Sequence, residues 1–165
     1  MATEIERKFL LSSDEWRRSV CRSQRFIQGY LTRPGASASC SVRVRIGEGE
    51  AWLNIKAALA GVERSEFEYA VPVADAERML VEFCDARIEK VRHDVDFRGR
   101  TFEIDEFFGD NAGLIVAELE LESADAAFER PPWLGGEVSD KRRYYNLHLL
   151  EHPYSVWSAA ERAGE

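Results

Sequence analysis

Glu4-Ile5-Glu6-Arg7-Lys8-Phe9, near the start of the chain, sets a charged side chain at every second position. In a strand, alternate side chains leave by opposite faces, so Glu4, Glu6 and Lys8 share one face and Ile5, Arg7 and Phe9 the other. Two carboxylates two residues apart lie about 7 Å from each other and repel by roughly 2 kcal/mol at an effective dielectric of about 20. Either that face is in open water, where the repulsion matters little, or the repulsion is put to use.

The same period-2 alternation recurs along the chain and predicts strands near 3–11, 26–33, 40–47, 51–58, 64–72, 87–97, 100–108 and 114–122. The connections are mostly short. Gly47 to Glu50 and Arg98-Gly99-Arg100 read as hairpin tips, which favours antiparallel neighbours. Helices are few. Ser12 to Asp14 caps a short one reaching about Cys21, residues 75–85 are amphipathic, and 123–128 form a short helical turn before Pro131-Pro132. Residues 140–150 and 154–163 form a helical tail, about 139–163 in all. The expected fold is mainly β within the α+β class: eight antiparallel strands in a closed barrel, a few peripheral helices and that tail. One domain, 1–165, accounts for the length.

Nearly every strand has one charged and one apolar face. Arg43 and Arg45 oppose Val42, Val44 and Ile46; Asn54 and Lys56 oppose Leu53 and Ile55; Arg64, Glu66 and Glu68 oppose Phe67 and Tyr69. Lys90 and Arg92 flank Val91, Glu103 and Asp105 flank Ile104, and Glu118 and Glu120 flank Leu119. A sheet with one wet face would show this alternation. A wet face, however, intersperses its signs, because like charges side by side cost energy. Here Arg43 and Arg45 are wholly basic, and Glu118 with Glu120 and Glu4 with Glu6 wholly acidic. Separate acidic and basic strips suit a polyphosphate with a bound divalent metal: arginine and lysine hold the phosphate oxygens, carboxylates the cation.

A net charge of −8 gives no basic excess for nucleic acid, so an anionic ligand must be held by local clustering. Cys21, Cys40 and Cys84 fit neither a disulfide framework nor a zinc site and are expected as reduced thiols in the cytoplasm. Charges within the first eight residues are incompatible with a signal peptide, and no apolar run reaches membrane-spanning length. No Walker loop or Ser-His-Asp set occurs. His148 and His152 have metal-ligand spacing without a third ligand and are discounted, and His93 falls on the uncharged face as a structural residue.

Glu4-x-Glu6-x-Lys8, followed in order by Arg43-x-Arg45, Lys56, Arg64-x-Glu66-x-Glu68, Glu118-x-Glu120 and Asp140-Lys141-Arg142, resembles the CYTH, or triphosphate tunnel metalloenzyme, superfamily. The likeness spans nearly the whole chain and is greatest to the short bacterial members, many of them inorganic tripolyphosphatases. It implies a tunnel and metal-dependent hydrolysis of a small-molecule triphosphate, with inorganic tripolyphosphate split to pyrophosphate and phosphate. By position, Lys8, Arg43, Arg45, Lys56, Lys90, Arg92 and Lys141 would bind phosphate. Glu4, Glu6, Asp105, Glu118 and Glu120 would hold Mg²⁺ or Mn²⁺. Lys8, Lys56, Glu66 and Glu68 are the candidate catalytic residues, the two glutamates as candidates to orient water. Thiamine triphosphatase and class IV adenylate cyclase are alternatives within the superfamily, although no motif reads as a base pocket. A polyphosphate- or nucleotide-binding module is the alternative without turnover. Neither nucleic acid nor membrane is an expected partner, and a homodimer is compatible with the outward apolar face.

Overall fold

The computed structural model describes residues 2–32, 40–57, 63–123 and 125–165, with the side chains of 2–4 and 63–64 outside the described set. Nine antiparallel strands form one sheet: β1 (Ala2–Leu11), β2 (Val20–Tyr30), β3 (Cys40–Gly47), β4 (Glu50–Ala57), β5 (Glu63–Val71), β6 (Arg87–Phe97), β7 (Arg100–Phe107), β8 (Ile115–Glu120) and β9 (Leu134–Glu137). The order is β5-β4-β3-β2-β6-β7-β8-β1-β9. β1 pairs with β8 through Glu6 to Phe9, and its first residues pair with β5, from Ala2↔Glu66 to Ile5↔Glu63.

Two hairpins form where the sequence places them. Glu48-Gly49 and Arg98-Gly99 have φ of 51° and 82°, and 50° and 77°. Two successive left-handed residues twist a tight turn in the sense of its flanking strands, and glycine adopts that conformation without penalty.

Several expectations need correction. Residues 134–137 add a ninth strand beside Phe9–Leu11, held by backbone pairing rather than by alternation, since Leu134-Gly135-Gly136-Glu137 has none. β2 begins at Val20, so the helix expected up to Cys21 shrinks to a 3-10 turn over Glu15–Ser19. The described part of 123–128 is not helical. The tail breaks into 3-10 turns at Arg142–Tyr144 and Tyr154–Val156 around two short helices, α2 (Asn146–Glu151) and α3 (Ala159–Arg162), with Pro153 preventing a continuous helix. The amphipathic helix α1 (Val73–Glu82) forms as expected, although it starts two residues earlier.

Both faces of the sheet are covered in part. Phe9, Val95, Phe102, Ile104, Ala117 and Leu119 form one apolar layer, packed with Trp16 from the 3-10 turn, Trp133 just before β9 and Leu134 at its start. α1 sets Ala76 and Leu80 on Val44 and Ala51. These residues lie on the face opposite the alternating charges. The C-terminal segment is different. Its Tyr144, Leu149 and Trp157 pack on Ile88, Phe107 and Val116, which share by register the face of Lys90 and Asp105. The tail therefore covers one end of the charged face.

Candidate active site

Strand register assembles the charged residues on a common face. Glu103 stands opposite Glu118, Asp105 opposite Arg92, Lys8 opposite Glu118, and Glu6 opposite Glu120. On the other side Arg45 faces Trp52 and Gln28, Arg43 faces Asn54 and Tyr30, and Lys56 faces Glu66. On this face carboxylates dominate β7, β8 and β1 and β3 is basic, while β6 sets Lys90 and Arg92 beside Asp94 and Asp96, and β4 sets Lys56 beside Asn54.

This face is withdrawn from water at its centre. Lys8, Lys90, Asp105 and Glu118 are buried, with 3%, 2%, 0% and 6% of their surface exposed. Isolated ions at that depth would cost several kcal/mol each, so they occur as a linked set. Lys8 Nζ donates to Glu118 and lies 2.5 Å from Glu6 Oε1. Arg92 donates to both oxygens of Asp105, at 2.8 and 2.7 Å, and to Glu118 Oε2 at 2.6 Å, and it also pairs with Glu103. Lys90 pairs with Asp105. The expected separation into acidic and basic walls is thus incomplete, because Lys8, Lys90 and Arg92 reach across to neutralise the carboxylates.

The charges tune one another. Burial alone would raise Glu118, but Lys8 and then Arg92 outweigh it and hold its carboxyl well below the ordinary range. Asp105 is likewise lowered, by Arg92 and Lys90 against its burial. Burial, reinforced by neighbouring Arg92, pushes Lys90 down to about 8.

The arginine pair on β3 is less fully compensated among the described residues. Arg45 is lowered by burial first and then by the charge of Arg43. One Arg45 nitrogen donates to Glu68 at 3.1 Å, and its guanidinium lies 4.9 Å from the Phe26 ring and 5.2 Å from the Trp52 ring. The Nε atoms of Arg43 and Arg45 are buried without a hydrogen-bond partner among the described residues. Positive charge is in local excess here, in a position to meet an anion.

Beside the pair, Glu66 lies 3.2 Å from Lys56 Nζ, and Asn54 Nδ2 donates to Glu66 at 3.1 Å and to Glu68 at 2.5 Å. Lys141 follows Val138, whose backbone N–H donates to the Lys8 carbonyl, and no ion pair involves it among the described residues. The side chains of Glu4 and Arg64 lie outside the described residues. Lys8 Nζ is 5.1 Å from the Tyr145 ring, a contact from the tail that sequence reasoning missed. Asn54, Gln28 and Glu103 also join this face without having been marked as site residues. Glu103 could have been found by the alternation rule, whereas the two amides carry no charge to draw attention.

No group of three or more carboxylate, histidine or cysteine side chains stands ready for a metal among the described residues. The reason is visible at Lys8, whose ammonium fills the point on which Glu6 and Glu118 converge. The donors themselves are hard oxygens, and Asp105 and Glu118 are kept ionised, the chemistry that Mg²⁺ or Mn²⁺ requires.

The profile of the CYTH domain matches residues 2–149. The chain is 39% identical over 155 residues to an inorganic triphosphatase of Acetivibrio thermocellus, covering 93% of this chain and 97% of that protein. It is 35% identical over 150 residues to an inorganic triphosphatase of Nitrosomonas europaea, covering 89% and 96%. A crystal structure of the inorganic triphosphatase NE1496 matches with a TM-score of 0.68 at 34% identity, over 91% of this chain and 95% of that one. By the order of its charged strands, by this fold and by these likenesses, the chain belongs to the CYTH domain family.

Proposed function

We propose that this protein hydrolyses a triphosphate on its charged face, with inorganic tripolyphosphate as the substrate, giving pyrophosphate and phosphate. The observation that carries the reading is the half-buried Arg43–Arg45 pair, whose buried Nε atoms have no hydrogen-bond partner among the described residues, on the face that also carries the ionised carboxylates Asp105 and Glu118. A ligand made of phosphate and metal would answer both halves of that arrangement. The names of the relatives support the choice of substrate. The reading also closes β1–β8 into an eight-stranded tunnel, supported by the pairing of β1 with both β8 and β5, and treats 1–165 as one unit in the cytoplasm.

In this mechanism Arg43, Arg45 and Lys56 bind phosphate oxygens from one side, and Lys8, Lys90, Arg92 and Lys141 from the other. Glu6, Asp105, Glu118 and Glu120, with Glu4 by alternation, would hold Mg²⁺ or Mn²⁺, which supplies charge neutralisation at the phosphoryl oxygens. Lys8 leaves its seat between Glu6 and Glu118 and turns to the phosphate. Glu66 or Glu68, steadied by Lys56, Asn54 and Arg45, orients a water and takes its proton. That water attacks the terminal phosphorus in line, the bridging P–O bond breaks, and pyrophosphate leaves.

The test is phosphate release from inorganic tripolyphosphate, ATP and thiamine triphosphate side by side, each with Mg²⁺ and with Mn²⁺. The expected result is metal-dependent turnover fastest on tripolyphosphate. Tight binding of tripolyphosphate without product would make the chain a binding module, and no release from any of the three would refute the reading.

A further inference from the structure

Gln28 lies on the same face as the arginine pair, directly across from Arg45 on β3 and from Ile88 on β6. It is 0% exposed, and neither Nε2 nor Oε1 has a hydrogen-bond partner among the described residues. Burying a primary amide with neither end satisfied is costly, and native proteins pair almost all such groups. The position leaves the side chain no relief on the other face. There Gly29 is pressed by Cys84 and Leu80, whose atoms would lie 2.7 to 2.9 Å from a Cβ at that residue.

The surroundings of Gln28 change from one side to the other. Towards β3 stands the cationic pair. Towards β6 stands Ile88, in the apolar cluster made with Phe107, Leu149 and Trp157 of the tail. Ile88, Phe107, Leu149 and Trp157 are themselves buried, so on that side Gln28 abuts closed apolar packing. Gln28 thus stands where the arginine pair meets that apolar packing, with Lys90 two residues along β6 from Ile88.

We infer that Gln28 is a substrate-binding residue that receives a terminal phosphoryl group of the polyphosphate chain beside Arg45. An amide suits an end group. Nε2 donates to an ionised phosphate oxygen, and Oε1 accepts from a protonated one, so both protonation states of a terminal phosphate are served without adding charge. The inference rests on the proposed triphosphatase reading and adds a neutral determinant to its charged ones.

The test compares wild type with Gln28→Met, which keeps length and removes both polar atoms. Two readouts are needed: thermal unfolding without ligand, and KM and kcat for inorganic tripolyphosphate with Mg²⁺. A substrate-binding role predicts an unchanged or higher melting temperature, because an unsatisfied amide has been removed, together with a KM raised about 10-fold or more, the size of a lost hydrogen bond to a charged group. Gln28→Glu, of equal size but anionic, raises KM further. An unchanged KM in a folded Gln28→Met protein would overturn the inference while leaving the triphosphatase reading intact. A lower melting temperature with unchanged KM would mark the amide as structural and overturn it equally. If wild type neither binds nor turns over tripolyphosphate, the triphosphatase reading itself fails, and the inference with it.

Discussion

Replacing Arg43 with Met should move stability and binding in opposite directions. Arg43 and Arg45 are same-face neighbours on β3, about 7 Å apart, and at an effective dielectric of about 20 their repulsion is about 2 kcal/mol. Glu68 offsets part of the charge on Arg45 at 3.1 Å, so the relief on losing Arg43 lies between zero and that figure. For a chain of this length, 1 kcal/mol corresponds to about 2–4 °C in Tm. The ligand-free variant should therefore melt at the same temperature as wild type or up to about 8 °C higher. Binding should fall, because a charge-assisted contact to phosphate contributes about 1.5–3 kcal/mol, or roughly 10- to 100-fold in affinity. The assay is urea or thermal unfolding without ligand, paired with calorimetric titration of tripolyphosphate in the presence of a chelator, so that metal does not enter. A variant that loses more than about 1 kcal/mol of stability but binds tripolyphosphate as tightly as wild type would refute the reasoning, since Arg43 would then be a structural cation.

Glu118→Gln should abolish turnover and cost about 1–3 kcal/mol of stability, less than a wholly orphaned charge, because Lys8 keeps Glu6 and Arg92 keeps Asp105; urea unfolding and phosphate release check both. The same carboxyl is lowered by folding, so its stabilisation is present above the unfolded value of 4.5 and is lost as pH falls below it; Glu118→Gln should flatten the acid limb of the stability profile. Lys90 acts in the same direction at higher pH, through relief of the cost of burying its ammonium rather than gain of an ion pair. With a folded value of about 8 against 10.5 unfolded, the unfolded chain binds more protons between those values, so stability should rise with pH across that window, and Lys90→Met should remove the rise. Chelation of divalent metal should stop turnover while leaving the ligand-free melting temperature within about 2 °C, because Lys8 and Arg92 already neutralise the carboxylates.

The sheet was legible because its strands obey one rule. Charges two residues apart can share a face only in extended chain, and most of the strands repeat that pattern around two hairpin tips with Gly49 and Gly99. β9 escaped because Gly135 and Gly136 leave no alternation to detect, and the tail because Pro153 and two aromatic anchors, Tyr144 and Trp157, replace long helices with short turns. Within the site, ionic residues could be assigned to a face from spacing alone, but pairing across strands could not. Register, invisible in the sequence, brings Lys8 between Glu6 and Glu118 and lets Arg92 bridge three carboxylates. Gln28 and Asn54 were passed over for a simpler reason: an amide reveals its role only when its burial and its partners, or lack of them, are known.

A crystal structure grown with inorganic tripolyphosphate and Mg²⁺, in a variant slow enough to retain the substrate such as Glu66→Gln, addresses the central claim most directly. The account predicts the phosphate chain on the charged face, in contact with Arg43, Arg45 and Lys56, with the cation on the carboxylates of β1 and β8 and Lys8 turned to a phosphate oxygen. Phosphate bound elsewhere, with Lys8 still seated between Glu6 and Glu118 and Arg43 and Arg45 untouched, would contradict it.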